Sequence, residues 1–558
     1  MTDQDDWDAV VIGSGIGGLV CAGYLAAAGR RVLVVEQHDV AGGNTHVFRR
    51  RRSYEFDVGV HYLGDCGSDG MLPAILGGLG LGDRIRFREM DQDGFDRISV
   101  PGLTLDVPAG WDPYRRRLTD ALPQDAAGIE EFTGICQALA AELRAAQLST
   151  EDLTPAQLAR RTPVTVRWGR RTLERLFEHC GLSTRARTVL AAQSPNYGLA
   201  PDVSTVAIHA AVMDHYLRGA YYPVGGGQQL AAGLVEVLEA HGGELRTRCA
   251  AQRVLVEDGR VTGVLLADGQ QVRAPLVVSN ADYRRTVLEL VGAEHFPQRI
   301  ADRTREATMA HPFAILYLAL DRPLHDRPNA NLWWYRDADI ESWYQRLRRG
   351  ELDTVDAMFV SFASLKEPES GAVCPPGHSN FQVMTLCPAD LEWWGVEQGP
   401  ADGGRYRRGN AYLARKQQLT EAMLQAAEEA LGPFRRNLTH VELATPLSQE
   451  RYTRSSGGTP YGLAGWGKAG HRPDTRTTIE GLHVVGASTR HGSGIGGVAV
   501  GGISCAAEIL EQPLLPLVHA GKVQIDPARL PERPDGWDAL AVSRGAARRT
   551  ARGLAKLR

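Results

Sequence analysis

The chemistry-bearing pattern nearest the start of the chain is Gly13-Ser14-Gly15-Ile16-Gly17-Gly18, with a carboxylate further on at Glu36. A glycine at 13 permits a tight turn, one at 15 lets backbone approach a pyrophosphate, and one at 18 lets helix and strand pack closely. Glu36 stands where a carboxylate accepts hydrogen bonds from an adenosine ribose, and its charge disfavours a ribose 2′-phosphate. These residues do that work only if a strand delivers the turn and a helix brings its free N–H groups and positive dipole end to the phosphates. The neighbouring residues supply both. Ala9-Val-Val-Ile12 is a buried-strand run, Leu19 to Gly29 is rich in Ala and Leu, and Arg31 to Glu36 reads as a second strand. The unit is a βαβ crossover for a dinucleotide; the competing reading is a glycine-rich loop with no ligand.

Other site chemistries are not written in the chain. The eight cysteines are scattered without a C-x-x-C pair, and no H-E-x-x-H or G-x-S-x-G occurs. His209 and His215 are six positions apart, which is not one helical face, so no metal site is expected. With 558 residues and a net charge of −4, the chain is a large globular protein with no global bias towards nucleic acid. Its 62 glycines follow no collagen period and point to turns and close backbone approaches. An acidic start and the absence of a long apolar run predict no secretory signal and no membrane span, hence a cytoplasmic protein.

The elements that position the site come from separated stretches. Ala250 to Arg273 reads as three strands joined by Asp258-Gly259 and Asp268-Gly269 turns, following a helix over Gln228 to Ala240. Leu276 to Asn280 is a buried strand. Leu482 to Gly486, then Gly492-Ser-Gly494-Ile-Gly496-Gly497 and a helix over Val498 to Leu510, repeats strand, glycine turn, helix. The predicted fold is therefore α/β: a Rossmann-type domain from 1–65, 223–300 and 470–512, with an α+β substrate domain from 66–222 and 301–469. In the second insert, strands are predicted at Phe313 to Leu320, Met358 to Ser361 and Phe381 to Leu386, with a helix at Asn410 to Leu431. Residues 513–558 read as a proline-containing linker and basic tail. There Arg544, Arg548, Arg552 and Lys556 recur every four residues and suit either a membrane-surface contact or a solvated stripe.

Four strings carry a resemblance: Glu55-Phe-Asp57-Val-Gly59-Val-His61-Tyr62-Leu-Gly64, Tyr221-Tyr-Pro-Val-Gly-Gly-Gly227, Val278-Ser-Asn-Ala-Asp282 and Val485-Gly-Ala-Ser-Thr489. With them the chain resembles the phytoene desaturase superfamily of flavoproteins, and within it carotenoid isomerases and retinol saturases. The likeness reaches to about residue 512. It implies non-covalent FAD, an amine oxidase and GDI-like architecture, an apolar tunnel to the isoalloxazine and a polyene substrate from an isoprenoid or polyketide pathway. The second glycine pair, Gly42-Gly43-Asn44, belongs to the same likeness and favours FAD over NAD. The positions so implied for the cofactor are Gly13, Gly15, Ile16, Gly17, Gly18, Glu36, Gln37, Gly42, Gly43, Asn44, Gly59, Val254, Gly486, Ala487, Gly496, Gly497 and Val498. One departure stands out: the His-Pro-Gly usual in the family's desaturases is Arg490-His491-Gly492 here. The Gly-Glu pair usual in amine oxidases is Gly486-Ala487, which argues against that branch.

The chemistry implied is hydride transfer at flavin N5 with a proton moving at the neighbouring carbon, run as desaturation, saturation, isomerisation or reductive ring closure. The resemblance places His61, Asp57 and Tyr62 beside the flavin as proton handlers. His61 leads because its reference pKa is near neutral; the competing reading gives His61 a local hydrogen bond and Asp57 a turn-capping role. Tyr221, Tyr222 and the pairs Trp333-Trp334 and Trp393-Trp394 suit a substrate channel or ordinary packing. No second complete fingerprint exists: Gly77-Gly-Leu-Gly80-Leu-Gly82 lacks a preceding strand. NAD(P)H, if it is the reductant, must visit the flavin transiently. A flavin amine oxidase and a flavin-free prenyl-binding escort of the GDI type are the competing functions.

Overall fold

The computed structural model describes residues 6–151, 153–324, 327–465 and 471–546. Ala9–Ile12 is flanked on one side by Val32–Glu36 and then Glu244–Thr247, and on the other by Val277–Ser279 and then Leu482–Val484, all parallel. Three distant stretches of chain thus meet in one five-stranded sheet. Strands buried on both faces must be apolar throughout, which is why each reads as a short run of Val, Ile and Leu rather than as an alternation.

The crossover helix Ile16–Ala27 packs along Gly494–Leu510. A Cβ at Gly502 would collide with the Gly17 carbonyl oxygen, so the glycine content of the later helix is what brings the two backbones together. Beside the parallel sheet stands a seven-stranded mixed sheet. Its order is Leu438–Ala444, Phe313–Leu320, Ser379–Leu386, Ala357–Ser361, Asn331–Tyr335, Asp96–Val100 and Leu103–Val107, so it draws on both inserts. Helices between Trp111 and Leu217 cover it.

Two boundaries differ from the sequence expectation. Met71–Gly78 and the turn after it were assigned to the substrate domain. Instead Met71, Leu72, Ile75, Leu76, Leu79 and Ile85 join the core of the crossover unit. The segment after 512, expected as linker and tail, is folded onto that unit as far as it is described. Leu514, Leu515 and Val518 are buried. Arg533 and the Trp537 indole N–H both donate to the buried Glu236 carboxylate, and the Gln228 amide donates to the Ser543 hydroxyl at 2.8 Å. Proline content read as linker because proline cannot extend a helix; the tertiary partners of Trp537 and Ser543 are what hold the segment down. Arg544, read as one member of a basic stripe, lies 3.7 Å from the Asp39 carboxylate. Arg548, Arg552 and Lys556 lie outside the described residues. Among the described residues no helix is long and apolar enough to cross a membrane.

Candidate active site

A cavity of about 2300 Å³ runs between the two sheets. Sites for drug-sized ligands are typically ~300–1,000 Å³, so this space takes a dinucleotide and a second ligand. One end is walled by Gly13, Gly15, Ile16, Gly17, Glu36, Gln37, Gly42, Gly43 and Asn44, the middle by Gly59, Gly486 and Ala487, and a further wall by Gly496, Gly497 and Val498. These are the residues implied from sequence, brought together from three parts of the chain.

The glycine turn is built for a close ligand. Gly13 has φ +91°, which only glycine adopts without strain. Gly43, from the second pair, packs so closely on the first turn that its Cβ position would lie 3.3 Å from the Gly15 Cα. Glu36 Oε2 accepts from the Ser14 N–H at 2.9 Å and the Ser14 hydroxyl at 2.6 Å, while among the described residues Oε1 accepts only from the His38 N–H at 2.7 Å. A carboxylate oxygen has two lone pairs, so Oε1 keeps capacity for a ribose hydroxyl. The residues present therefore fit an adenine dinucleotide.

Three implied positions do not line the cavity. Gly18 sits behind the turn, where a Cβ would stand 2.5 Å from the Gly13 carbonyl oxygen. Its role is to let the helix approach, and Gly18→Ala is expected to push the turn out of shape. Occupancy by the dinucleotide, expected from the resemblance to be a flavin, should drop roughly tenfold, ~1.4 kcal/mol in binding, read as the flavin-to-protein absorbance ratio after purification; full occupancy would refute that role. Val254 is buried in the core behind the sheet, and Ala250 and Ala251 reach the cavity in its place. Asp57 is buried among protein groups, accepting from the Tyr222 hydroxyl and from the Gly227 N–H at 3.1 Å. Burial raises its pKa to about 7. It ties the strand Tyr54–Asp57 to the Tyr221–Gly227 segment and does not face a substrate.

His61 and Tyr62 do line the cavity. Burial, helped by the neighbouring Lys366 charge, lowers His61 to about 3. The expectation of a near-neutral titration is thereby corrected: the ring is neutral across the physiological range. Its Nδ1 has no partner among the described residues. Tyr62 donates to Asp96 at 3.0 Å, accepts from the Asn196 amide at 3.0 Å, and stacks on Tyr216 with ring centroids 4.1 Å apart. Its hydroxyl proton is committed to Asp96, and burial raises its pKa well above the usual phenol value. Tyr222 and Trp333 are packed and hydrogen-bonded within the protein rather than lining a channel.

Three residues near the cavity carry chemistry that sequence reading missed. His215, weighed only as a metal ligand, has its Nε2 accepting from the Gly64 N–H at 2.9 Å. The ring proton is therefore on Nδ1, and this edge of the ring lies against Gly496. The Arg472 guanidinium is buried in the cavity wall. It donates to the Ala487 and Tyr461 carbonyls, has no carboxylate partner among the described residues, and is pulled down by burial to about 10. Lys366 lies just behind the wall. Its ammonium donates to the His61 carbonyl at 2.5 Å, to Asn331 Oδ1 at 2.7 Å and to the Ser361 hydroxyl at 2.6 Å.

The comparisons agree with this geometry. The chain is similar to the all-trans-retinol 13,14-reductase of Macaca fascicularis, 28% identical over 483 residues, 82% of this chain and 77% of the relative. It is similar to prolycopene isomerase 2 of an Oncidium hybrid cultivar, 26% identical over 533 residues, 91% of this chain and 84% of the relative. The cyclohexylamine oxidase of Brevibacterium oxydans shares the fold, with a TM-score of 0.58 at 17% identity, covering 91% of this chain and 100% of that one. The model for flavin containing amine oxidoreductases matches residues 16–510, nearly the whole of the two-sheet body. With that match starting at the helix that follows the glycine turn and taking in the ribose-seeking carboxylate and the closing segment, the chain belongs to the flavin-containing amine oxidoreductase family: it is an oxidoreductase, and its cofactor is FAD.

Proposed function

We propose that the substrate is an apolar conjugated polyene and that the reaction adds, removes or relocates a C=C bond. The observation that carries this is the inner wall of the cavity beyond His61. Tyr216, Phe313, Ile315, Phe359 and Met384 line it, and each cavity carboxylate there is already engaged. Asp65 is held by Arg144 and Arg218, Glu442 by Arg50, and Asp214 accepts from the Trp111 indole N–H. Among the described residues an ammonium substrate would find no carboxylate in this part of the cavity without a hydrogen-bond or ion-pair partner, and only Asp214 lacks a cationic one, whereas an extended hydrocarbon buries its whole length. The relatives named for all-trans-retinol and prolycopene, both conjugated polyenes, support the same substrate class.

FAD supplies hydride acceptance or donation at N5. The protein's part is to hold, orient and keep dry. Gly15, Gly17, Glu36 and Gly43 would hold the dinucleotide, with Gly486 and the Gly496–Val498 stretch closing over the ring system. The stacked Tyr62 and Tyr216 present flat apolar faces to a polyene. His215, with its proton fixed on Nδ1, is a cavity-facing side chain placed to hydrogen-bond or deliver a proton beside the closing segment.

The test is to incubate the flavin-loaded protein, in oxidised and in dithionite-reduced form, with all-trans-retinol and with a cis-carotenoid in detergent, and to read products by mass and absorbance. Gain or loss of H₂ identifies saturation or desaturation; unchanged mass with a shifted absorbance identifies isomerisation. Inertness to every polyene, with peroxide release on primary amines, would overturn the proposal.

A further inference from the structure

The cavity opens to solvent beside a pair of short helices, Pro155–Arg161 and Pro163–Trp168. Each starts on a proline at its first position, where the missing N–H costs nothing. The first is closed by a capping box between Thr154 and Gln157. The second is fixed to the long helix Ala126–Leu148 because the Glu142 carboxylate accepts from the Val164 and Thr165 N–H groups at 3.1 and 2.8 Å. The pair is thus a held element. Yet the first helix buries none of its side chains, and at the rim of the cavity Leu158 is 39% and Val166 65% exposed.

This surface is basic. From 155 to 171 the sequence has five arginines (Arg160, Arg161, Arg167, Arg170, Arg171) and no carboxylate, in a chain whose net charge is −4. All five are exposed. Arg161 meets Glu151 from just before the pair, and Arg167 and Arg171 stack on the faces of Trp168. Exposed aliphatic side chains ringed by arginine suit an anionic lipid surface, where the apolar groups enter the acyl boundary and the guanidiniums meet headgroups. From the rim, one face of the helix Val206–Leu217 leads inwards: Ile208, Ala211, Val212 and His215 recur at helical spacing and all line the cavity.

We infer that the helix pair 155–168 seats the protein on an anionic bilayer, with the cavity mouth against the membrane so that an apolar ligand passes from the acyl phase along the 208–215 face to the site. The surface stands on its own residues; the route inwards rests on the polyene reading above.

The experiment is flotation of the full-length, flavin-loaded protein with vesicles of phosphatidylcholine alone and of phosphatidylcholine with phosphatidylglycerol. Three variants are compared: Leu158→Asp with Val166→Asp; Arg160→Gln, Arg167→Gln and Arg170→Gln together; and Arg548→Gln, Arg552→Gln and Lys556→Gln together. Retained flavin absorbance shows that each variant is folded. The protein should float with the anionic vesicles only. The aspartate pair should abolish this, and the triple change at the mouth should weaken it by ~100-fold at roughly fivefold per arginine, while the C-terminal triple change leaves most of it. No flotation, or flotation lost with the C-terminal change and kept with the aspartate pair, would overturn the inference. Flotation as expected in a protein inert to every polyene would count against the substrate reading alone.

Discussion

Replacing Lys366 by methionine is expected to destabilise the fold by about 3–5 kcal/mol, the range seen when one partner is removed from a buried charged network. Lys366 is buried, and each of its three ammonium hydrogens has an acceptor: the His61 carbonyl, Asn331 Oδ1 and the Ser361 hydroxyl. Asn331 in turn donates to Asp96 at 2.8 Å. Asp96 also receives the Gln193 amide at 2.5 Å, the Trp333 indole at 2.9 Å and the Tyr62 hydroxyl. Burial lowers the lysine to about 7, against the opposing pull of two buried carboxyl groups, Asp57 and Asp96, that favour its charged form. Methionine fills the space but leaves Asn331 Oδ1 without this donor and the His61 carbonyl with only the Ser361 hydroxyl at 3.5 Å, at ~1–3 kcal/mol for an acceptor left unmet, and removes the positive charge beside the two carboxyl groups. Because the network holds the backbone of His61 and the ring of Tyr62, the visible circular dichroism of the bound flavin should change as well. Urea midpoints of the flavin-loaded proteins measure the first effect. Should Lys366→Met fail to accumulate, Ser361→Ala removes one acceptor and should cost about 1 kcal/mol. A wild-type midpoint in Lys366→Met would refute the account.

Acid should unfold this protein early. Burial lowers His46, His311 and His491 to about 4 and His61 and His209 to about 3. A histidine depressed in the folded state contributes its full stability above the unfolded pKa of ~6.5 and loses it as pH falls towards the folded value, because the unfolded chain binds the proton first. Each one costs up to ~1.4 kcal/mol per pH unit below ~6.5. The five together should remove about 5 kcal/mol between pH ~7.5 and ~5.5, after discounting for those that are not fully covered. Asp57, raised to about 7, works in the opposite sense, since the folded state takes up its proton first as pH falls, and offsets part of the loss. Urea midpoints across that window measure the slope, and His209→Gln should flatten it by about one proton. His209 suits the comparison because it is buried away from the cavity wall, with its Nδ1 at 3.0 Å from the Tyr197 hydroxyl. Stability independent of pH over this window would refute the assignment.

The cofactor end of the site was legible because its determinants are local. A turn that needs a glycine at 13, a helix start beside it and a carboxylate at the end of the next strand, at 36, lie within 24 residues, and each follows from backbone geometry alone. Regular elements with strong periodicity were equally plain: the strand Phe313–Leu320 and the helix Asn410–Leu431 have the bounds expected of them. Val254 shows where such reading stops. Its strand was recognised, but the choice of which residue meets the cavity depends on where the strand enters the fold, and Ala251 is the one that reaches it.

An adenine-dinucleotide βαβ crossover, and a binding unit assembled from separated stretches, could be read from residue order alone, since both depend on short-range steric and periodic rules. Which polar groups carry the site's chemistry came from the packing. Lys366 meets His61 across 305 positions and His215 meets Gly64 across 151. Asp57, by contrast, is turned away from the cavity towards Tyr222 and Gly227. A side chain's charge, tautomer and exposure are set by what is packed against it. For buried groups in a fold of this size those partners come from anywhere in the chain, so no local pattern records them.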